Sequence, residues 1–282
     1  MSPKILFKRM TRNPFFVSGF IVIFLVVLLV VTCPLYLKFN AEKNSLTEAF
    51  VRPEWFSKGL DGHVLGTDQM GRDVFARVLM GGRSSLKIAL SVVMIQLVVG
   101  TVLGILAGYI GGVVDSIIMR ACDVVLAIPN LILAIALMSV LGASTTNLII
   151  VLSFSGWVQY CKITRNNVRV ASKMEYVQAS KVLGGSSLHI MFTQILPNVT
   201  TQMIVITSQQ LGRVFLLESS LSFLGMGIQA PAPSWGNIIS DGRVYLTAFP
   251  WICMSAGFAL MFMVLGFNFL GDGLRDVLDP KR

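Results

Sequence analysis

Apolar runs that meet or approach the length needed to cross a lipid bilayer make up nearly half of this chain, with polar segments between them. A bilayer core of about 30 Å requires roughly 20 apolar residues in a helix that rises about 1.5 Å per residue. Six runs meet or approach that length, at 15–36, 88–110, 116–141, 147–164, 199–217 and 244–270. The chain is therefore predicted to be an all-α, polytopic membrane protein with six transmembrane helices.

The fourth of these runs is the weakest. Its apolar part, 147–160, is short enough to suit a buried or re-entrant segment instead of a full span. However, Lys162 can extend its side chain toward water, and Trp157 and Tyr160 suit an interface between lipid and water. The segment is therefore extended to Thr164 and counted as a span, which puts both chain termini on one side of the membrane.

Composition and charge support the same class of protein. Hydrophobic residues make up 54% of the chain and charged residues only 13%, whereas soluble domains have roughly 25% charged residues. The net charge of +9 comes from basic residues at the ends of apolar runs, which is typical of membrane anchoring and not of nucleic-acid binding. Basic residues are also more numerous at the two termini and in 162–181 than in the first long loop, which predicts cytoplasmic termini.

A polar segment, 165–198, separates the fourth and fifth runs. Ser172 stands three residues before Glu175, the spacing at which a serine caps a helix and a glutamate reaches back to the cap. A short helix is therefore predicted to begin there.

Glycine, serine and proline mark the rest of that segment. Gly184 and Gly185 are predicted to end the first helix, and Ser186 or Ser187 to cap a second one. Pro197 is predicted to mark a further boundary, because proline has no N–H to donate and disfavours helix at the preceding residue. The segment is therefore predicted to be a helix, a sharp turn and a helix.

This segment resembles the EAA loop of ABC importer permeases. That loop reads Glu-Ala-Ala, three residues, glycine, nine residues, and then Ile-x-Leu-Pro. The corresponding residues here are Gln178, Ala179, Ser180, Gly184, Gln194, Ile195, Leu196 and Pro197. Among the departures from the pattern, Gln178 replaces a glutamate and Gln194 replaces an isoleucine.

Three further stretches resemble a narrower family, the C-type permeases of dipeptide, oligopeptide and nickel importers. They are 63–84 before the second run, 218–236 between the fifth and sixth runs, and 271–280 at the end of the chain. Together with the EAA-like loop, the resemblance covers nearly the whole chain. It implies a type I ABC importer permease in a bacterial or archaeal cytoplasmic membrane, carrying small peptides or metal and opine-type metallophore chelates.

The resemblance also implies partners and an organisation of the chain. The partners would be a second permease, two cytoplasmic ATPases that bind ATP, and an extracytoplasmic binding protein, with no cofactor in this chain. The expected parts are a cytoplasmic segment with the first helix (1–40), an extracytoplasmic loop (41–85) and a five-helix core (86–282) that contains the coupling loop. Coupling to an ATPase is expected of Glu175, Gln178, Ala179, Ser180, Gly184, Gly185, Leu196 and Pro197.

Glycine and proline also pattern the second and third runs. Gly100, Gly104, Gly108 and Gly112 recur every four residues, so they share one helix face and predict close packing against another helix. Pro129 is predicted to kink the third run, because its ring removes a hydrogen bond and crowds the preceding turn.

Charges inside a span are costly, and two in the fifth run suggest a role in the substrate path. Arg213 and Glu218 could pair with each other near the outer end of the helix. Alternatively, Arg213 could face the translocation path and attract a substrate carboxylate, because arginine presents a permanently charged, forked set of donors.

No catalytic site is predicted in this chain. The phosphate-binding pattern of ATPases is absent, and His63, His189 and the four scattered cysteines predict no metal site. The chain is therefore predicted not to be an enzyme, and a membrane-embedded enzyme is disfavoured because no nucleophiles, acids or ligands cluster. An ion-gradient-driven secondary transporter is the alternative to an ATP-driven importer, with Arg213 and Glu218 as its charge relay.

Overall fold

The computed structural model describes residues 3–55, 57–59 and 62–278. Regular structure in that part of the chain is helical apart from an isolated β-bridge between Thr67 and Asp73, so the all-α prediction is confirmed. The last two motif residues, Asp279 and Pro280, lie outside the described residues. The α-helices are α1 (Pro3–Arg12), α2 (Pro14–Thr32), α3 (Val74–Ile110), α4 (Gly112–Leu126), α5 (Asn130–Leu141), α6 (Thr145–Ala171), α7 (Glu175–Val182), α8 (Ser187–Ile190), α9 (Leu196–Phe223), α10 (Trp235–Gly242) and α11 (Pro250–Leu278).

Four helical stretches of the described residues are long and apolar enough to cross a membrane, at 14–35, 74–110, 187–223 and 250–278. A fifth is obtained if the bent pair of α4 and α5 forms one span. The fourth expected span falls within α6. This helix has 27 residues and is long enough to cross a membrane, but its composition is too polar for it to be counted with the other four. Length and apolar composition therefore support four or five spans and do not reproduce the expected count of six.

The second span is longer than the sequence suggested, because α3 begins at Val74 and not near Ile88. Asp73 adopts an extended backbone and its side chain accepts a hydrogen bond from the Ala76 amide at 2.6 Å, which is the geometry of a helix cap. His63 Nδ1 lies 2.9 Å from the other carboxylate oxygen of Asp73. The start of α3 therefore lies inside the segment 41–85 that was expected to be loop.

An ionic cluster joins the first of the family-like stretches to α10. Arg72 donates from Nε to Asp68 at 2.7 Å, and both residues are buried. Asp241 of α10 lies 3.4 Å from Arg72 Nη2 and 3.3 Å from Arg77 Nη2. This cluster fixes α10 against the start of α3, where the Trp235 indole also donates to the Val78 carbonyl at 2.8 Å.

Pro129 breaks the third run instead of only kinking it. α4 ends at Leu126, α5 starts at Asn130, and their axes differ by 85°. The residue before a proline is pushed away from helical geometry, and Pro129 itself cannot donate to the helix, so the break coincides with the proline.

The glycines of α3 pack against α6. A Cβ placed on Gly100 would lie 2.5 Å from the Tyr160 Cβ, and one on Gly104 would lie 2.5 Å from the Thr164 Cβ. A Cβ placed on Gly108 would likewise lie 2.7 Å from the Arg165 carbonyl oxygen. These three residues let the two backbones approach closely.

Gly112 does not belong to this stripe, and its predicted packing role was wrong. α3 ends at Ile110, and Gly112 has a φ of +55°, with open space where a Cβ would stand. The four-residue spacing would place Gly112 on the packing face only if α3 continued through it. Because the chain turns at position 111, Gly112 lies off that face.

Candidate coupling loop and polar path

The loop between α6 and α9 contains the predicted helix, turn and helix, but it begins differently. α7 starts at Glu175 without any side-chain cap, and Met174 occupies the cap position. Ser172 instead ends α6, with its N–H bonded to the Val168 carbonyl at 2.8 Å. The predicted capping pair of Ser172 and Glu175 was therefore wrong, because a cap requires an extended backbone and Ser172 is helical (φ −62°, ψ −18°).

The turn and the second cap follow the prediction. Gly184 has a φ of +82°, and its N–H donates to the Lys181 carbonyl at 3.1 Å. Gly185 N–H donates back to the Ser180 carbonyl at 2.9 Å, which closes the end of α7. Ser186 then caps α8 by accepting a hydrogen bond from the His189 amide at 3.3 Å. A left-handed residue is thus required at 184, where glycine has no steric penalty.

The predicted boundary at Pro197 is a change of helix type and not a break in the helix. A π-helical turn, Met191–Ile195, connects α8 to α9, so that helix runs without a break from Ser187 to Phe223. Pro197 lies in the first turn of α9, where its missing N–H is tolerated. Pro197 has no N–H to donate, and the next residue, Asn198, donates from its side-chain Nδ2 to the Gln194 carbonyl at 2.6 Å. The proline changes the winding of the helix without ending it.

The two glutamines that depart from the EAA pattern make bonds inside the loop. Gln178 donates from Nε2 to the Ser172 carbonyl at 2.7 Å, which a glutamate cannot do when ionised. Gln194 donates from Nε2 to the Ser180 hydroxyl at 2.9 Å and so ties the π turn to α7. Both amides therefore fix the shape of the loop.

Large apolar side chains are exposed on the loop. Val182 is 88% exposed and Leu183 86% exposed, with Leu188 and Phe192 also exposed on α8 and the π turn. Val177 of α7, by contrast, is fully buried. Large apolar side chains at such exposure indicate a surface that another molecule covers.

An ionic cluster holds the base of the loop to the bundle. Asp115, buried at the start of α4, accepts hydrogen bonds from Arg165 through both carboxylate oxygens and from Arg169 Nη2 at 2.6 Å. The Lys181 ammonium of α7 also lies 4.8 Å from the centre of the Tyr109 ring. Sequence reasoning did not find Asp115, because about fifty positions separate it from its arginine partners.

Arg213 and Glu218 do not pair. Five residues at about 100° each place them roughly 140° apart around α9, so they face different neighbours. Glu218 is fully buried and accepts hydrogen bonds from Ser85 at 2.9 Å and Ser222 at 2.8 Å. Both the predicted ion pair and the predicted path position of Glu218 were therefore wrong.

Arg213 is exposed and lines a cavity of about 350 Å³ among α3, α4, α5, α6 and α9. Its Nη1 donates to the Gln159 side-chain oxygen at 2.7 Å and lies 3.4 Å from the Gln210 oxygen. Among the described residues, the polar side chains that line this cavity are those of Gln96, Asn130, Ser155, Gln159, Lys162, Gln210 and Arg213. Amides and cations thus gather where a solute could bind.

The family described as "Binding-protein-dependent transport system inner membrane component" matches residues 100–282, which include the loop and all of the residues that line the cavity except Gln96. The chain belongs to this family. It is therefore a permease component of a binding-protein-dependent transport system, a multi-pass membrane protein and not an enzyme. The predicted resemblance to ABC importer permeases is confirmed.

Several permeases are similar to this one along almost its whole length. It is 38% identical to the dipeptide transport system permease protein DppC of Escherichia coli strain K12 over 270 residues, 96% of this chain and 90% of the relative. It is 36% identical to DppC of Alkalihalophilus pseudofirmus over 275 residues, 98% of this chain and 88% of the relative. The oligopeptide transport system permease protein OppC of Bacillus subtilis is 35% identical over 274 residues, 97% and 88% of the two chains.

Proposed function

We propose that this permease is the C-type subunit of an ATP-driven importer for small peptides. It forms the translocation path with a second permease, an extracytoplasmic binding protein delivers the solute, and the loop 165–198 receives the movement of the two cytoplasmic ATPases. Both chain termini and this loop lie in the cytoplasm. The observation that carries the proposal is the exposed apolar surface of the α7–α8 turn, on a loop bonded firmly to the helix bundle.

The attachment of the loop makes it suitable for transmitting force. Asp115 links Arg165 and Arg169 to α4, and the α3 glycines hold α6 close to α3. A movement applied to the α7–α8 turn is therefore passed to α6 and α9 as rigid elements, as in other transitions that shift packed helices.

The names of the relatives support a small peptide as the cargo. DppC is named for dipeptides and OppC for oligopeptides, and the glutathione permease GsiD of Pectobacterium atrosepticum is 35% identical over 219 residues. No group of three or more His, Cys, Asp or Glu side chains that could hold a metal ion occurs among the described residues. A metallophore or metal chelate as cargo has no comparable support.

Co-purification and vesicle uptake test this proposal. The tagged permease should co-purify with an ATPase pair and a second permease, and uptake of a dipeptide into right-side-out or reconstituted vesicles should require ATP inside them. Uptake that persists without ATP and collapses with an ionophore would instead identify an ion-gradient-driven transporter.

The proposal places Arg213 in the translocation path. An exposed arginine within a membrane-spanning helix costs free energy where it contacts lipid, whereas contact with water or a partner subunit stabilises it. Replacing Arg213 with alanine should reduce uptake of an acidic peptide about tenfold, because a hydrogen bond between charged groups contributes roughly 1.5–3 kcal/mol. Uptake of the same peptide with an amidated carboxyl end should change less. Unchanged uptake of the acidic peptide in Arg213→Ala would remove this residue from the path.

The turn at Gly184 offers a second test, with a matched control. Valine there should strain the backbone by about 1–2 kcal/mol, because φ is +82° and the left-handed region suits glycine. Uptake should fall about tenfold while the bundle stays folded and ATP hydrolysis continues. Gly142→Val is the control, since Gly142 has a φ of +81°, equally open surroundings and a position in the α5–α6 turn. Equal uptake by both variants would contradict the coupling role of the turn.

A further inference from the structure

A second cavity continues the first one along α9. It has a volume of about 480 Å³ and lies between α6, α9 and the end of α11. The first cavity meets α9 at positions 210–217, and the second meets it at 201–209. The two cavities therefore follow one another along the helix axis, the second being nearer to the coupling loop.

Two residues of α6, Gln159 and Ile163, line both cavities and so form the wall between them. Gln159 also accepts the 2.7 Å hydrogen bond from Arg213, which connects α6 to α9 at this wall. The acceptor is a neutral amide oxygen, and a carboxylate would bind the guanidinium more strongly. An anionic solute can therefore displace Gln159 from Arg213 and so break this link between α6 and α9.

The lining of both cavities favours such a solute. Arg213 supplies a cation to the first cavity and Arg275 supplies one to the second, whereas the Lys162 ammonium at the first cavity already pairs with Asp123 of α4 at 3.2 Å. No aspartate or glutamate is among the described residues that line either cavity. Amide and hydroxyl groups, such as those of Gln202 and Thr201, can bond peptide groups without selecting particular side chains.

We propose that Gln159 and Arg213 form this chain's half of a gate between the two cavities. The carboxylate end of a peptide replaces Gln159 on Arg213, which releases α6 from α9 and lets the solute pass. Gln159 is a positioning residue in this mechanism, since it holds Arg213 across the path when no solute is bound. The inference rests on the proposed function, because it requires that Arg213 face the path.

Two substitutions at Gln159 should have different effects in the reconstituted transporter with all its subunits. Gln159→Glu places a carboxylate on Arg213 that competes with the solute, so peptide uptake should fall about tenfold while ATP hydrolysis continues. Gln159→Ala removes the link, so a dipeptide preloaded into the vesicles should leak out several-fold faster without ATP. A purely structural role of Gln159 would lower uptake in both variants and produce no leak.

Asn44 provides the control, since this exposed amide in the segment before α3 lines neither cavity. Asn44→Asp and Asn44→Ala should transport as the unaltered protein does. The gate is refuted if the Gln159 variants match the Asn44 variants, or if Gln159→Ala loses uptake without leaking. Failure of the proposed function is a different result, namely that the unaltered assembly shows no ATP-dependent uptake.

Discussion

Leucine in place of Gly104 should prevent α3 from packing against α6 and leave little folded protein in the membrane. A Cβ at Gly104 would lie 2.5 Å from the Thr164 Cβ and 2.7 Å from the Cys161 carbonyl oxygen. The first is the branch point of a stiff side chain and the second is backbone, so neither can move aside without separating the helices. Overpacking costs about 1–3 kcal/mol when neighbours can adjust, and more is expected where they cannot.

Alanine variants separate this steric effect from the general effect of altering a helix glycine. Gly104→Ala should lower the midpoint of thermal unfolding in detergent, whereas Gly257→Ala should leave it unchanged or raise it, because a Cβ at Gly257 meets no atom within 4 Å. Yield, gel-filtration profile and thermal midpoint measure the outcome. Equal stability of Gly104→Leu and the unaltered protein would mean that α3 and α6 do not pack this closely.

Aspartate in place of Leu183 should abolish assembly with the ATPases while the permease itself still folds. The leucine is 86% exposed, so the change removes little packing within this chain. At a docking surface, however, the new carboxylate would be buried against the ATPase without a partner, which costs several kcal/mol. We expect binding of the ATPases to weaken more than about a hundredfold and ATP-driven uptake to disappear with it.

Leu46→Asp is the matched control for that variant. Leu46 is 76% exposed in the segment before α3, far along the chain from the coupling loop. Both variants should show the same thermal midpoint in detergent, and only Leu183→Asp should lose the ATPases in a pull-down from solubilised membranes. Retention of the ATPases by Leu183→Asp would show that the turn is not their docking surface.

Local features of the sequence predicted local structure well. The turn at Gly184, the cap at Ser186, the change of helix direction at Pro129 and three of the four stripe glycines depend on residues within one or two helical turns. Two of the wrong predictions share one cause, an uncertain helix boundary. α6 continues to Ala171, so Ser172 cannot adopt the extended backbone of a cap. α3 ends at Ile110, so Gly112 leaves the stripe.

Long-range partners could not be read from the chain. Asp115 with Arg165, and Gln159 with Arg213, meet only after α4, α6 and α9 have packed, and about fifty positions separate the members of each pair. The helical period does exclude an ion pair between Arg213 and Glu218, since five residues turn the helix by about 140° beyond a full turn. Sequence periodicity thus indicates which face a residue occupies but not which helix that face meets.

In the proposed complex, the internal bonds of Gln178 and Gln194 affect how the subunits assemble. Because these amides shape the α7–α8 loop from within, the proposed contact surface exists before any ATPase arrives. Association then needs no disorder-to-order transition in this subunit, and the entropy of ordering a flexible chain is not lost at the moment of encounter. Recruitment of the ATPases should therefore be limited by diffusion and mutual orientation, as for two rigid bodies.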